Sequence, residues 1–102
     1  MAFNGNEGEP IELDVAAEWT ARYRAANNGV YAHFFGRNIL QDILDQDGCM
    51  GIRIYYALDD EGVSQLILVG ANAEEDDLYD RVLGERSFPC PPSNPHSPLS
   101  GG

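Results

Sequence analysis

Two thiols and two imidazoles are the softest ligands in this chain: Cys49 in "DGCMG", Cys90 in "FPCPPS", His33 and His96. A thiol at a turn, with backbone N–H groups exposed around it and a cation nearby, gives up its proton and becomes a nucleophile or a metal ligand. Cys49 has the turn, and Arg53, four residues on, is a cation within plausible reach. No histidine adjoins Cys49 in sequence, so a Cys-His pair would need His33 delivered by the fold. The structural reading carries more weight. Cysteine and glycine are among the residues most often buried, and a helix-to-strand turn takes a small side chain readily.

A metal or redox centre would draw on Cys49, Cys90 and His33. Zinc asks for four nitrogen or sulfur ligands at short spacings, and the two cysteines and two histidines here are scattered. "GCMG" before a strand, with a cysteine near the C-terminus, is similar to the pattern of A-type iron-sulfur carriers, which join G-C-S-G to a terminal C-x-C. The terminal cysteine of this chain is single, so a cluster would have to be shared between subunits. The reading is therefore no cofactor, with an iron-sulfur cluster or zinc as runner-up.

The acidic run "NAEEDD" offers Asn72, Glu74, Asp76 and Asp77 to a hard cation. It lacks the sharp-turn glycine and the closing glutamate of an EF-hand loop. Acids that open a helix and oppose its dipole explain the run better. Serines fall in turns and tail with no G-x-S-x-G, and no glycine loop cradles phosphate. Without a coherent catalytic set, the chain reads as a non-enzyme.

Charge narrows the partners. Seventeen acidic residues face six basic ones, all arginine, for a net charge of -11. That balance argues against nucleic acid, since few cations are present to displace phosphate counterions. It suits a solvated acidic surface or, as an alternative function, an inhibitor or mimic that meets a basic partner. Two distant cysteines make no disulfide framework and point to a reducing compartment. "MAFNGNEGEP" has neither the basic nor the apolar region of a secretory leader, and no apolar run nears the roughly 20 residues that span a bilayer. A cytoplasmic protein without a membrane partner is expected.

The elements that would position these residues follow from periodicity. Residues 1–10 are polar and glycine-containing, a flexible N-terminus. Pro10 starts a helix in which Ile11, Val15, Trp19 and Tyr23 form one stripe, and "NNG" at 27–29 stops it. "VYAHFF" at 30–35 is either a short strand or the lead-in to a second helix. Ile39, Leu40, Ile43 and Leu44 then recur at helical spacing up to Gln46, with Gly48 as a left-handed cap. "GIRIYYALD" and "SQLILVGAN" are strand runs joined by "DEGV", a hairpin that needs a third strand or a partner subunit for stability. Residues 30–35 are the candidate third strand. "AEEDDLYDRVLGERS" reads as a short helix through Leu78 and Val82. The last fifteen residues, five of them proline, form an extended or disordered tail.

The expected architecture is α+β: two helices packed on a small antiparallel sheet built around a β-hairpin, a single domain over 11–86, and a Pro-rich tail at 87–102. Trp19, Tyr23, Tyr55, Ile67 and Val69 are the candidate contact residues, because aromatics are enriched where subunits meet and an apolar sheet face must find cover. The function expected is a non-enzymatic interaction or assembly protein that pairs with itself, a homo-oligomer, or with another protein.

"EWTARYR", "AHFFGRNIL", "GCMGIRIYYALDDEG" and "LILVGANAEEDDL", closing on a Cys-Pro-Pro tail, together resemble a family of small uncharacterised bacterial proteins over roughly residues 11–92. The block from Gly48 to Ala57 is the most specific part. Relatives often carry a second cysteine just after Cys-Pro-Pro, where this chain has Ser93 and Asn94. The resemblance implies a self-contained domain and brings no activity, and the Ser93–Asn94 departure weakens a tail-based metal or redox role.

Overall fold

The computed structural model describes residues 2–27, 29–91, 93 and 95–101. In chain order the elements are α1 (Leu13–Ala26), β1 (Ala32–Phe34), α2 (Arg37–Leu44), β2 (Gly51–Leu58), β3 (Ser64–Ala71), β4 (Leu83–Gly84) and β5 (Phe88–Cys90). They make an α+β chain with two antiparallel sheets, β2-β3-β4 and β1-β5. The chain divides into two compact units, one of residues 1–7 and 35–87, the other of residues 8–34 and 88–102.

In the first unit, β2 and β3 pair over their whole length, from Gly51 opposite Ala71 to Leu58 opposite Ser64. β-branched and aromatic residues suit this pleated surface. The connection at 59–63 is organised by Asp59, whose carboxylate accepts the N–H groups of Glu61 and Val63 (both 2.9 Å) and the Gln65 amide (3.0 Å). α2 lies on one face of the sheet. Ile43, with no exposed surface, and Ile39 come so close to Gly84 that a side chain there would meet both, and Gly70 meets Ile43, Gln46 and Cys49 in the same way. Burying a side chain such as Ile43 contributes about 1.5–3 kcal/mol. Leu68 and Leu78 are buried on the same face, while Val69 and Ala71 are buried on the other face of the sheet. Gly48 ends the α2 region in the left-handed conformation (φ 81°), as its place after the apolar stripe predicts.

In the second unit, α1 begins at Leu13 after an extended Glu12, so Ile11 lies outside it. Asp14 in its first turn and Arg24 in its last oppose the helix dipole. The helix stops at Ala26, and the Asn27 side chain donates back to the Tyr23 carbonyl (3.1 Å). Asn27 is extended rather than left-handed, and Asn28 of the expected "NNG" stop lies outside the described residues. β1 pairs with β5 in the register Ala32 to Cys90, His33 to Pro89, Phe34 to Phe88. A proline fits this ribbon because both strands are edges and one N–H can be spared. The Arg24 guanidinium donates to the Leu99 carbonyl and ties down the turn at the end of the chain. No helix among the described residues is long and apolar enough to cross a membrane.

Three expectations change. Residues 32–34 do form a strand, but it pairs with β5; the third strand beside β2 and β3 is β4. The stretch after Ala71 is not a helix: Ala71 bridges Asp77, the Leu78 N–H donates to the Gly70 carbonyl, and Glu75 and Arg86 take positive φ. Sheet hydrogen bonds outcompete local helical ones there, because they let Leu78 be buried. The tail also does not lie wholly outside the fold, since Phe88–Cys90 is β5 and pairs with β1, and it is not extended at 97–100, where the Ser100 N–H donates to the Ser97 carbonyl (3.0 Å); its Pro92 and Asn94 lie outside the described residues.

Candidate functional site

Two surfaces of the three-stranded sheet differ in character. The face carrying Arg53, Tyr55 and Val69 is closed by polar bonds. Arg53 donates to the Asp77 carboxylate and to the Glu75 carbonyl (3.2 Å), and the Tyr55 hydroxyl donates to the other Asp77 oxygen (2.6 Å). The Tyr55 hydrogen bond and the Arg53 charge hold the Asp77 carboxyl below the usual carboxylate range, while the same bond pushes the Tyr55 phenol up. The Phe3 ring lies 5.5 Å from the guanidinium carbon of Arg53, a cation–π contact, and the Phe3 N–H donates to the Ala73 carbonyl (2.9 Å). Phe3 and Glu7 line a cavity of about 280 Å³ with Met50, Gly51, Ile52, Arg53 and Ala71.

The opposite face is only partly covered. α2 sits over Gly70, Leu68 and Gly84, but the row beyond it on β2 is open: Ile54 is 54% exposed, Tyr56 92% and Leu58 74%. The edge beyond this row carries no strand, because β2 is the terminal strand of the sheet and no described strand pairs with its outer side, although Phe3, Gly5 and Glu7 approach the start of β2 at Met50–Arg53. An eight-residue strand with a free edge and an uncharged apolar row is the kind of surface that soluble proteins usually guard with charge, proline or a cover.

The sequence candidates fall in both units. Cys49 is half-buried in the first unit, and its thiol donates to the Gly51 carbonyl (3.2 Å). Cys90 is buried in the second, on the strand opposite β1, which carries His33. Both thiols are free, and burial pushes the His33 imidazole below its ordinary range. Among the described residues no three of His, Cys, Asp and Glu come together to hold a metal. Of the cation candidates, the Asn72 side-chain oxygen accepts the N–H groups of Glu74 (3.0 Å) and Asp76 (2.9 Å), and both Asp77 oxygens are taken by Arg53 and Tyr55. Glu74 and Asp76 are exposed.

Of the contact candidates, Trp19 is 57% exposed, Tyr23 and Tyr55 are half exposed, and Ile67 is partly covered. Val69 is buried under the polar face and presents nothing to a partner. Sequence reasoning missed Ile54, Tyr56 and Leu58 as contact residues. The signal was present in their alternation with Arg53, Tyr55 and Ala57, which fixes one shared face. Compared with family models, curated proteins and solved structures, the chain matches none.

Proposed function

We propose that this chain is a small acidic, non-enzymatic interaction or assembly protein that associates with itself through the three-stranded sheet. The observation that carries this reading is the exposed row Ile54, Tyr56 and Leu58 on a strand whose outer edge is free. Such a row leaves on the order of 400 Å² of apolar surface in contact with water, the size of patch that often marks an interaction site. The area is below that of a standard interface, so association in the micromolar to millimolar range is expected. Light scattering coupled to size exclusion should give a mass above one chain as concentration rises, and Tyr56→Ser should weaken that association. A single-chain mass at every concentration refutes the reading.

A further inference from the structure

We infer that the partner of β2 is β2 of a second copy, joined edge to edge and antiparallel about a twofold axis at Tyr55, so that two three-stranded sheets become one of six strands. This rests on the self-association proposed above and specifies its geometry.

Backbone geometry makes the case. The Asp59 N–H donates to the Val63 carbonyl (3.0 Å), and these two residues stand one step beyond Leu58 and Ser64, the last pair in the register of β2 and β3. Hydrogen-bonded pairs alternate along an antiparallel ladder, so the odd-numbered residues of β2, from Gly51 to Ala57, also turn their N–H and C=O groups toward β3. On the other side of β3, the Gly70 carbonyl accepts the Leu78 N–H, as the same alternation requires. The even-numbered residues Ile52, Ile54, Tyr56 and Leu58 therefore aim their backbone groups at the free edge. These residues also carry the exposed apolar row.

A second β2 placed antiparallel at this edge satisfies both at once. With the axis at Tyr55, Ile52 stands opposite Leu58 of the second copy and Ile54 opposite its Tyr56, so the two rows lie side by side on the same face. This register pairs Ile52–Leu58 of one copy with the same seven residues of the other. β4 cannot offer an equivalent edge, since it is two residues long.

Charge selects the same arrangement despite a net charge of -11 per chain. Asp59, Asp60 and Glu61 form the acidic turn after β2. Antiparallel pairing sets this turn beside Cys49–Gly51 of the other copy, where Glu7 is the acid that lines the neighbouring cavity, and it separates the two acidic turns by roughly 30 Å along the strands. That distance exceeds the Debye length of about 8 Å at physiological salt several-fold. Arg53 becomes the diagonal neighbour of the second copy's Asp59, on the same face of the sheet. A parallel pairing would instead place the acidic turns together.

Amide hydrogen exchange measured by NMR from roughly 10 μM to roughly 1 mM brackets the affinity of an interface of this size. Protection of the Ile52, Ile54, Tyr56 and Leu58 amides should rise at least tenfold over that range. Tyr56→Pro, which removes an outward N–H and spares the ladder to β3, should abolish the rise and the dimer. Tyr56→Ala should keep both in weakened form. Circular dichroism of the proline variant checks that it is folded. A dimer whose four outward amides stay unprotected, or one that survives in folded Tyr56→Pro, overturns edge pairing and leaves self-association through the sheet standing. A single-chain mass throughout removes both.

Discussion

Gly70→Ala tests whether Cys49 is a packing residue. A side-chain carbon at position 70 would stand 3.0 Å from the Cys49 sulfur, 3.0 Å from the Gln46 amide nitrogen and 3.4 Å from a methyl carbon of Ile43. None of the three can retreat easily. The Gln46 amide donates to the Ile43 carbonyl (2.9 Å) while its oxygen accepts the Val82 N–H (3.0 Å), and Ile43 has no exposed surface. Overpacking a well-filled site costs about 1–3 kcal/mol. In a domain of this size that lowers the melting temperature by roughly 5–15 °C. Urea denaturation followed by far-ultraviolet circular dichroism measures the cost directly. Cys49→Ala in the same background removes one of the two closest atoms and should return about 0.5–1.5 kcal/mol, a coupling that a double-mutant cycle isolates. If the thiol were aimed away from the core for chemistry, the cycle would give no coupling. A Gly70→Ala protein as stable as the parent, or one that Cys49→Ala does not relieve, refutes the packing of Cys49 against β3.

Asp77→Ala removes the partner of Arg53 and Tyr55 together and leaves a guanidinium only 30% exposed, at a cost of about 1–3 kcal/mol at neutral pH. Because the folded state holds Asp77 below the usual carboxylate range, this contribution is full above about pH 4 and fades as pH falls through the folded value. The gap between parent and variant urea midpoints should therefore narrow from pH 7 to about pH 3, and a constant gap would show that the carboxylate charge is not responsible. Gly48→Ala meets no atom within 4 Å, so its cost comes from the positive φ alone, about 1–2 kcal/mol by the same denaturation measurement. An unchanged midpoint would mean that this turn relaxes.

Much of the fold was legible where local pattern and tertiary demand agree. The stripe of Ile39, Leu40, Ile43 and Leu44 announces α2, and two β-rich runs announce β2 and β3. The stretch from Asn72 to Ser87 misleads because its acids and leucines fit a helix locally. The structure uses Asn72 to fold a turn, Asp77 to hold Arg53 across the sheet, and Leu78 to fill the core. The partners of Asp77 and Leu78 are not close in sequence, and the turn that Asn72 folds competes with a helix over the same residues. Residues 88–90 show the same limit: Pro89 forbids a helix or a central strand, yet a two-stranded ribbon needs neither. For the candidate site, alternation along residues 51–58 makes the apolar row readable, but only the folded chain shows that α2 stops short of it.

The Asp59 turn does more than reverse the chain. Because strand side chains alternate with a period of two, a slip of one residue between β2 and β3 would carry every side chain of the slipped strand through the sheet. Arg53 and Tyr55 would then point at α2, and Ile52 and Ile54 at Asp77. Asp59 spans both sides of the turn, with Glu61 and Val63 backbone groups and the Gln65 side chain on one carboxylate, and hydrogen bonding to Val63 holds its pKa low. A single acid at the hairpin's tip thus keeps the sheet's polar and greasy sides from trading places.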